Sequence, residues 1–196
     1  MKPHYILFLL CILAVGCSTK KKSVPPEKTE KASPVFFPVT SYLQGQINSF
    51  NQVQVTPLKI TTSAGHEDSA WLKIDDIPSL AQPFLSPVID SSSLSKYYNE
   101  SSFLDQTINS ITLSYDPKAY LQDPLALKSV AVYIDPKTNK VTRVYIEKSL
   151  PADKGSKMQQ LTWKTDKWFK ITTISEDEGK SPEIKEEKVI WDFDEQ

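Results

Sequence analysis

The sequence predicts an α+β domain in which a curved antiparallel β-sheet packs against N-terminal helices. Three observations point there. Apolar residues recur at helical spacing early in the chain, short strand-like runs rich in β-branched and aromatic residues dominate after residue 103, and the connections between those runs carry hairpin chemistry.

In residues 38–50 (PVTSYLQGQINSF), Val39, Tyr42, Leu43, Ile47 and Phe50 fall three and four apart, which makes one face of a helix that Gly45 weakens modestly. Residues 53–62 alternate as a strand, with Pro57 marking an edge or a bulge. SAGHEDS reads as a turn and residues 70–75 (AWLKID) as the returning strand, with Trp71 and the later Trp191 expected inside. Asp76 is placed to cap a short helix through Leu85, where Pro83 and Pro87 interrupt, and residues 93–98 add a further helical turn.

Strands follow at 107–115, 127–134, 141–148, 158–163, 168–174 and 188–193. The connection DPKTNK between the second and third of these is a strong turn signal, since proline presets the first turn dihedral and Asn139 tolerates positive φ. Lys164-Thr165-Asp166-Lys167 closes a second hairpin, and residues 175–187 read as an acidic loop. The stretch YIDPKTNKVTRVYI is similar to turns of periplasmic antiparallel domains such as PepSY-like and lipoprotein-carrier-like proteins, a likeness that the turn chemistry alone explains.

The start of the chain has a different logic. Lys2 precedes an apolar run of 11 residues, 5–15 (YILFLLCILAV), too short to span a bilayer and of the length of a signal-peptide core. It ends in Ala14-Val15-Gly16-Cys17, which resembles the lipobox of bacterial lipoproteins, although the position three before the cysteine is Ala14 where leucine is commonest. The resemblance implies a signal peptide over 1–16, diacylglycerol on the Cys17 thiol, cleavage before Cys17 and acylation of the freed amine. A competing A-x-A-like cleavage site would leave Cys17 a lone thiol, because the only other cysteine is Cys11.

Residues 18–34 (STKKKSVPPEKTEKASP) carry almost nothing apolar and are expected to form, with Cys17, a disordered tether before a single domain at 35–196. Lys20, Lys21 and Lys22 either add attraction to anionic headgroups or simply solvate a spacer. In Bacteroidota lipoproteins an acidic run after the cysteine accompanies export to the cell surface. Lysines stand there here, so the resemblance implies an outer-membrane anchor facing the periplasm.

Of 23 basic residues in the chain, six lie before residue 35, and Arg143 is the one arginine. A mildly acidic domain with a single guanidinium is poorly suited to a nucleic-acid backbone, so no nucleic-acid partner is expected. After residue 17 the domain holds no cysteine and only His66 as histidine, which argues against a Ser-His-Asp triad, a zinc site or any other metal, and isolated glycines argue against a nucleotide loop or other cofactor. The acidic neighbours Asp75-Asp76, Glu176-Asp177-Glu178 and Glu186-Glu187 read as solvated surface. Trp163, Trp168, Tyr97 and Tyr98 are the candidate ligand contacts, with sheet packing as the competing role for each.

The function expected is therefore a non-catalytic, lipid-anchored envelope protein that binds a protein or polymer partner. A carrier of an apolar ligand in a sheet-lined cavity, and less so a carboxylate-dependent hydrolase, are the alternatives.

Overall fold

The computed structural model describes residues 36–50, 55–119 and 126–194, all within one compact unit, Pro34–Gln196. The leader, Cys17 and the tether lie outside the described residues, so the expectations for them are neither supported nor opposed by the fold. Among the described residues, no helix is long and apolar enough to cross a membrane.

The fold is β-rich. One nine-stranded sheet has the order β2-β1-β9-β8-β7-β6-β5-β4-β3, and every neighbouring pair is antiparallel. Its strands are β1 Leu58–Ser63, β2 His66–Trp71, β3 Tyr98–Asp105, β4 Ser110–Pro117, β5 Leu127–Ile134, β6 Val141–Leu150, β7 Ser156–Lys164, β8 Trp168–Glu176 and β9 Glu183–Ile190. Strands β3 to β9 run as a meander, and the β1–β2 hairpin adds beside β9. Consecutive strands β2 and β3 therefore occupy opposite edges. The chain between them carries a 3-10 turn, Ile74–Asp76, and three short helices, α2 Ile77–Leu80, α3 Gln82–Leu85 and α4 Ser91–Tyr97; the first helix, α1, is Val39–Ser49.

Antiparallel partners share a face, so the register fixes which side chains meet. Val132, Val144, Trp163, Phe169 and Val189 form one row across five strands, and Val130, Ile146, Leu161 and Ile171 form the next. These residues are buried, and they share a single hydrophobic cluster with Val39, Leu43 and Ile47 of α1 and with Ile77, Phe84 and Leu94 of α2, α3 and α4. Phe84 meets Trp163 and Phe169 edge-on at centroid distances of 5.4 and 5.5 Å.

Three sequence expectations are corrected. The first hairpin turns on Ala64 and Gly65 alone, with φ of 49° and 79°, the two-residue geometry that suits the twist of antiparallel strands. The strand therefore starts at His66 and ends at Trp71, four residues earlier than the spacing suggests, and Trp71 stands 65% exposed on the edge with its ring 6.1 Å from Phe193. A strand at Tyr98–Asp105 begins where the last helical turn is expected to end and fills a stretch to which the sequence reading gives no element. The acidic segment is mostly strand, because β9 begins at Glu183 and its carboxylates find lysines on both neighbouring strands.

Candidate functional site

The four aromatic candidates do not converge. Trp163 is fully buried, stacked on Phe169 at 5.3 Å, and Tyr98 is 1% exposed with its hydroxyl donating to the Leu127 carbonyl. Neither offers a face to a ligand, because the odd-numbered side of β7 and the start of β3 turn into the core. Tyr97 and Trp168 are half-buried, and each already carries a lysine ammonium 4.9 Å from its ring, Lys96 and Lys188 respectively.

The carboxylate neighbours do not make a catalytic pair either. Glu186 and Glu187 are successive residues of β9 and project to opposite faces. Glu186 pairs with Lys170 at 3.0 Å, and Glu187 with Lys59 at 2.6 Å and Lys185 at 3.1 Å. Burial alone would raise the Glu187 pKa, yet the two lysines hold it below the usual carboxylate range, so it stays ionised. His66 is exposed on β2, and no group of three His, Cys, Asp or Glu residues arranged to hold a metal occurs among the described residues.

The structure instead builds a cleft that no local sequence signal announces. It lies between α1 and the tips of two hairpins, β5–β6 and β7–β8, and has a volume of about 610 Å³. The β5–β6 tip is rigid: the Asp135 carboxylate accepts from the backbone N–H groups of Lys137 (2.7 Å) and Thr138 (3.1 Å), and Asn139 takes the positive φ of 56°. The β7–β8 tip is tied to β6 by the Thr165 N–H, which donates to the Thr142 carbonyl. Tyr42 of α1 bridges the elements, its hydroxyl 2.7 Å from the Thr165 hydroxyl and its ring 5.6 Å from Phe37. Burial pushes the Tyr42 pKa up against the Thr165 hydrogen bond, aided by the charge of Asp166, so the phenol is neutral.

Lys140, Lys164 and Lys167 ring this cleft, with Asp166 as its carboxylate. A second cavity of about 230 Å³ shares Gln46 and Asp166 with it and is floored by Phe50 and Trp191, which meet edge-on at 4.6 Å. No protein-family model, curated protein or solved structure matches the chain. The cleft's lining combines apolar and aromatic surface with hydroxyl and amide groups and lysine ammonium groups.

A buried cation lies elsewhere among the described residues. Lys148 of β6 is 5% exposed and donates to the carbonyls of Pro83 (2.6 Å) and Ser86 (2.5 Å) at the end of α3. Desolvation lowers its pKa. Lys148→Ala should cost about 2–4 kcal/mol, because it opens a cavity and strips two carbonyls of their donor. The sign with pH follows from the lowered value: between the folded and unfolded pKa the unfolded chain holds more protons, so this group makes stability rise with pH. Urea unfolding should show the gap between parent and variant widening from pH 7 toward pH 10, and a gap that narrows would contradict the assignment.

Proposed function

We propose that the protein is an envelope lipoprotein, fixed through lipid on Cys17 to the periplasmic face of the outer membrane, whose β-rich domain binds a protein or polymer partner without catalysing a reaction. The lipobox-like Ala14-Val15-Gly16-Cys17 and the lone thiol support the anchor. The cleft between α1 and the two hairpin tips carries the binding half of the proposal. It is open, ringed by charge and floored by aromatic rings, as a surface for a sizeable partner needs to be.

In this reading the sheet curves over α1 to α4 as one α+β domain, a layering supported by the edge-on contacts of Phe84 with Trp163 and Phe169. Those same rings occupy the helix-facing side of the sheet where an apolar cargo would sit, which favours partner binding over a carrier role. The separated, lysine-paired glutamates of β9 favour it over a carboxylate hydrolase.

Photocrosslinkers placed at Gln46 and Asn139, in cells, test the proposal. Adducts of discrete size should form from both positions and fail to form from Glu67 on the β2 edge. Adducts from Glu67 alone, or from none of the three, would overturn it.

A further inference from the structure

The cleft continues beyond the hairpin tips. A third cavity, of about 230 Å³, shares Thr142 and Lys164 with it and is lined also by Ile108, Ser110, Tyr133 and Arg143. The three cavities share lining residues in turn around the hairpin tips, from Trp191 on the α1 side of the sheet to Tyr133 on the opposite face. We infer that this track binds an acidic polysaccharide, a hydroxyl-rich sugar chain bearing carboxylates. The inference rests on the cleft being the partner site and names the partner's chemistry.

Charge is the first argument. Among its described lining residues the track carries the cations Lys140, Lys164 and Arg143, with Lys167 beside the carboxylate Asp166. Neither Arg143 nor Lys164 stands in an ion pair among the described residues. Tyr133, Arg143 and Lys164 are direct cross-strand neighbours on β5, β6 and β7. Successive strands lie about 4.8 Å apart, so an anionic chain lying across them meets a cation at each of two adjacent steps. Asp166 repels carboxylates from the Trp191 end and so directs the acidic groups toward Lys164 and Arg143.

Geometry is the second. The Arg143 guanidinium carbon stands over the Tyr133 ring, 3.8 Å from its centroid, a contact that restrains the side chain while a bidentate carboxylate can still reach its donors. The Phe37–Tyr42 pair and Trp191 supply further flat faces of the kind that pack against sugar rings. Between them stand amide and hydroxyl groups, Gln46, Thr138, Asn139 and Thr142, suited to a ligand dense in hydroxyls. A peptide added as a strand needs an open sheet edge, but the track runs over hairpin tips and inner strands, while the edges are β2 and β3.

The test is titration of the full-length, detergent-purified protein with polygalacturonate, neutral dextran, poly-glutamate and anionic phosphatidylglycerol vesicles. Polygalacturonate should bind, more weakly as salt rises, and dextran should not. Arg143→Gln and Lys164→Gln should each weaken binding by roughly tenfold, about the worth of one charge-assisted hydrogen bond. The exposed Lys140→Gln should weaken it with an unchanged melting temperature, which separates lost contact from lost fold. Equal binding to dextran, no effect of the three variants, or poly-glutamate or vesicles bound more tightly than the uronate chain would overturn the inference. If polygalacturonate fails while Gln46 still crosslinks a partner, this inference falls and the partner-binding proposal stands; if both fail, both fall.

Discussion

Cys17→Ser is expected to end incorporation of labelled fatty acid and to move the protein from the membrane pellet to the soluble fraction. The thiol is the acceptor of diacylglycerol in the proposed reading, and serine cannot take its place. Two or three acyl chains hold a protein stably, at about 0.8 kcal/mol per buried methylene, whereas the domain offers no spanning helix among its described residues to substitute for them. The lysines at 20–22 add attraction too small to retain the chain by themselves, at about 1 kcal/mol each near an anionic surface. Fractionation of cells expressing parent and variant reads the outcome. A variant that stays in the pellet after a high-salt wash would contradict the anchor.

Trp163→Ala is expected to destabilise the domain by about 3–5 kcal/mol, lowering the melting temperature by roughly 6–20 °C. Trp163 is 0% exposed, stacks on Phe169 and meets Phe84 and Trp191, so alanine leaves a void bordered by three rings, from β8, α3 and the segment just after β9. Its Nε1 has no hydrogen-bond partner among the described residues. Trp163→Phe should therefore cost much less, since it keeps a ring in the stack and removes a buried donor left unpaired. Urea denaturation of both variants measures the contrast, and equal losses would show that ring packing is not what Trp163 contributes.

Where the sequence was legible, the controlling forces were local. Strand β5 lies at Leu127–Ile134, the limits that its apolar run and turn-flanked ends predict, and α1 matches its three- and four-residue spacing. The DPKTNK turn was readable because Asp135, Pro136 and Asn139 each act on the backbone within a few residues. Strand β9 was not, since five glutamates and lysines in the six residues 183–188 look like a solvated loop until Lys59 and Lys170 are known to stand beside them. Trp71 misled for a related reason: a large aromatic is usually inside, but β2 is the last strand of the sheet and has no neighbour to cover it.

The candidate site was the least legible part. Tyr42 reads as one more apolar residue of a helix face, and Thr165 as one residue of a turn; they are 123 positions apart and become neighbours only through the sheet order. The aromatics that seemed poised for a ligand were those best suited to fill a core, as Trp163 and Tyr98 do. Lysines in turns carry no mark that tells a solvated turn from the rim of a cleft. The distinction depends on α1 lying across the hairpin tips.

Hydrogen exchange of the protein in native membrane vesicles, set against the same protein purified in detergent, tests the central claim most directly. An occupied cleft predicts slower exchange in the vesicles at residues 36–50, 138–142 and 164–167, with the β2 and β3 edges unchanged. Exchange that is equal at those three segments, or slowed at the edges in their place, would contradict it.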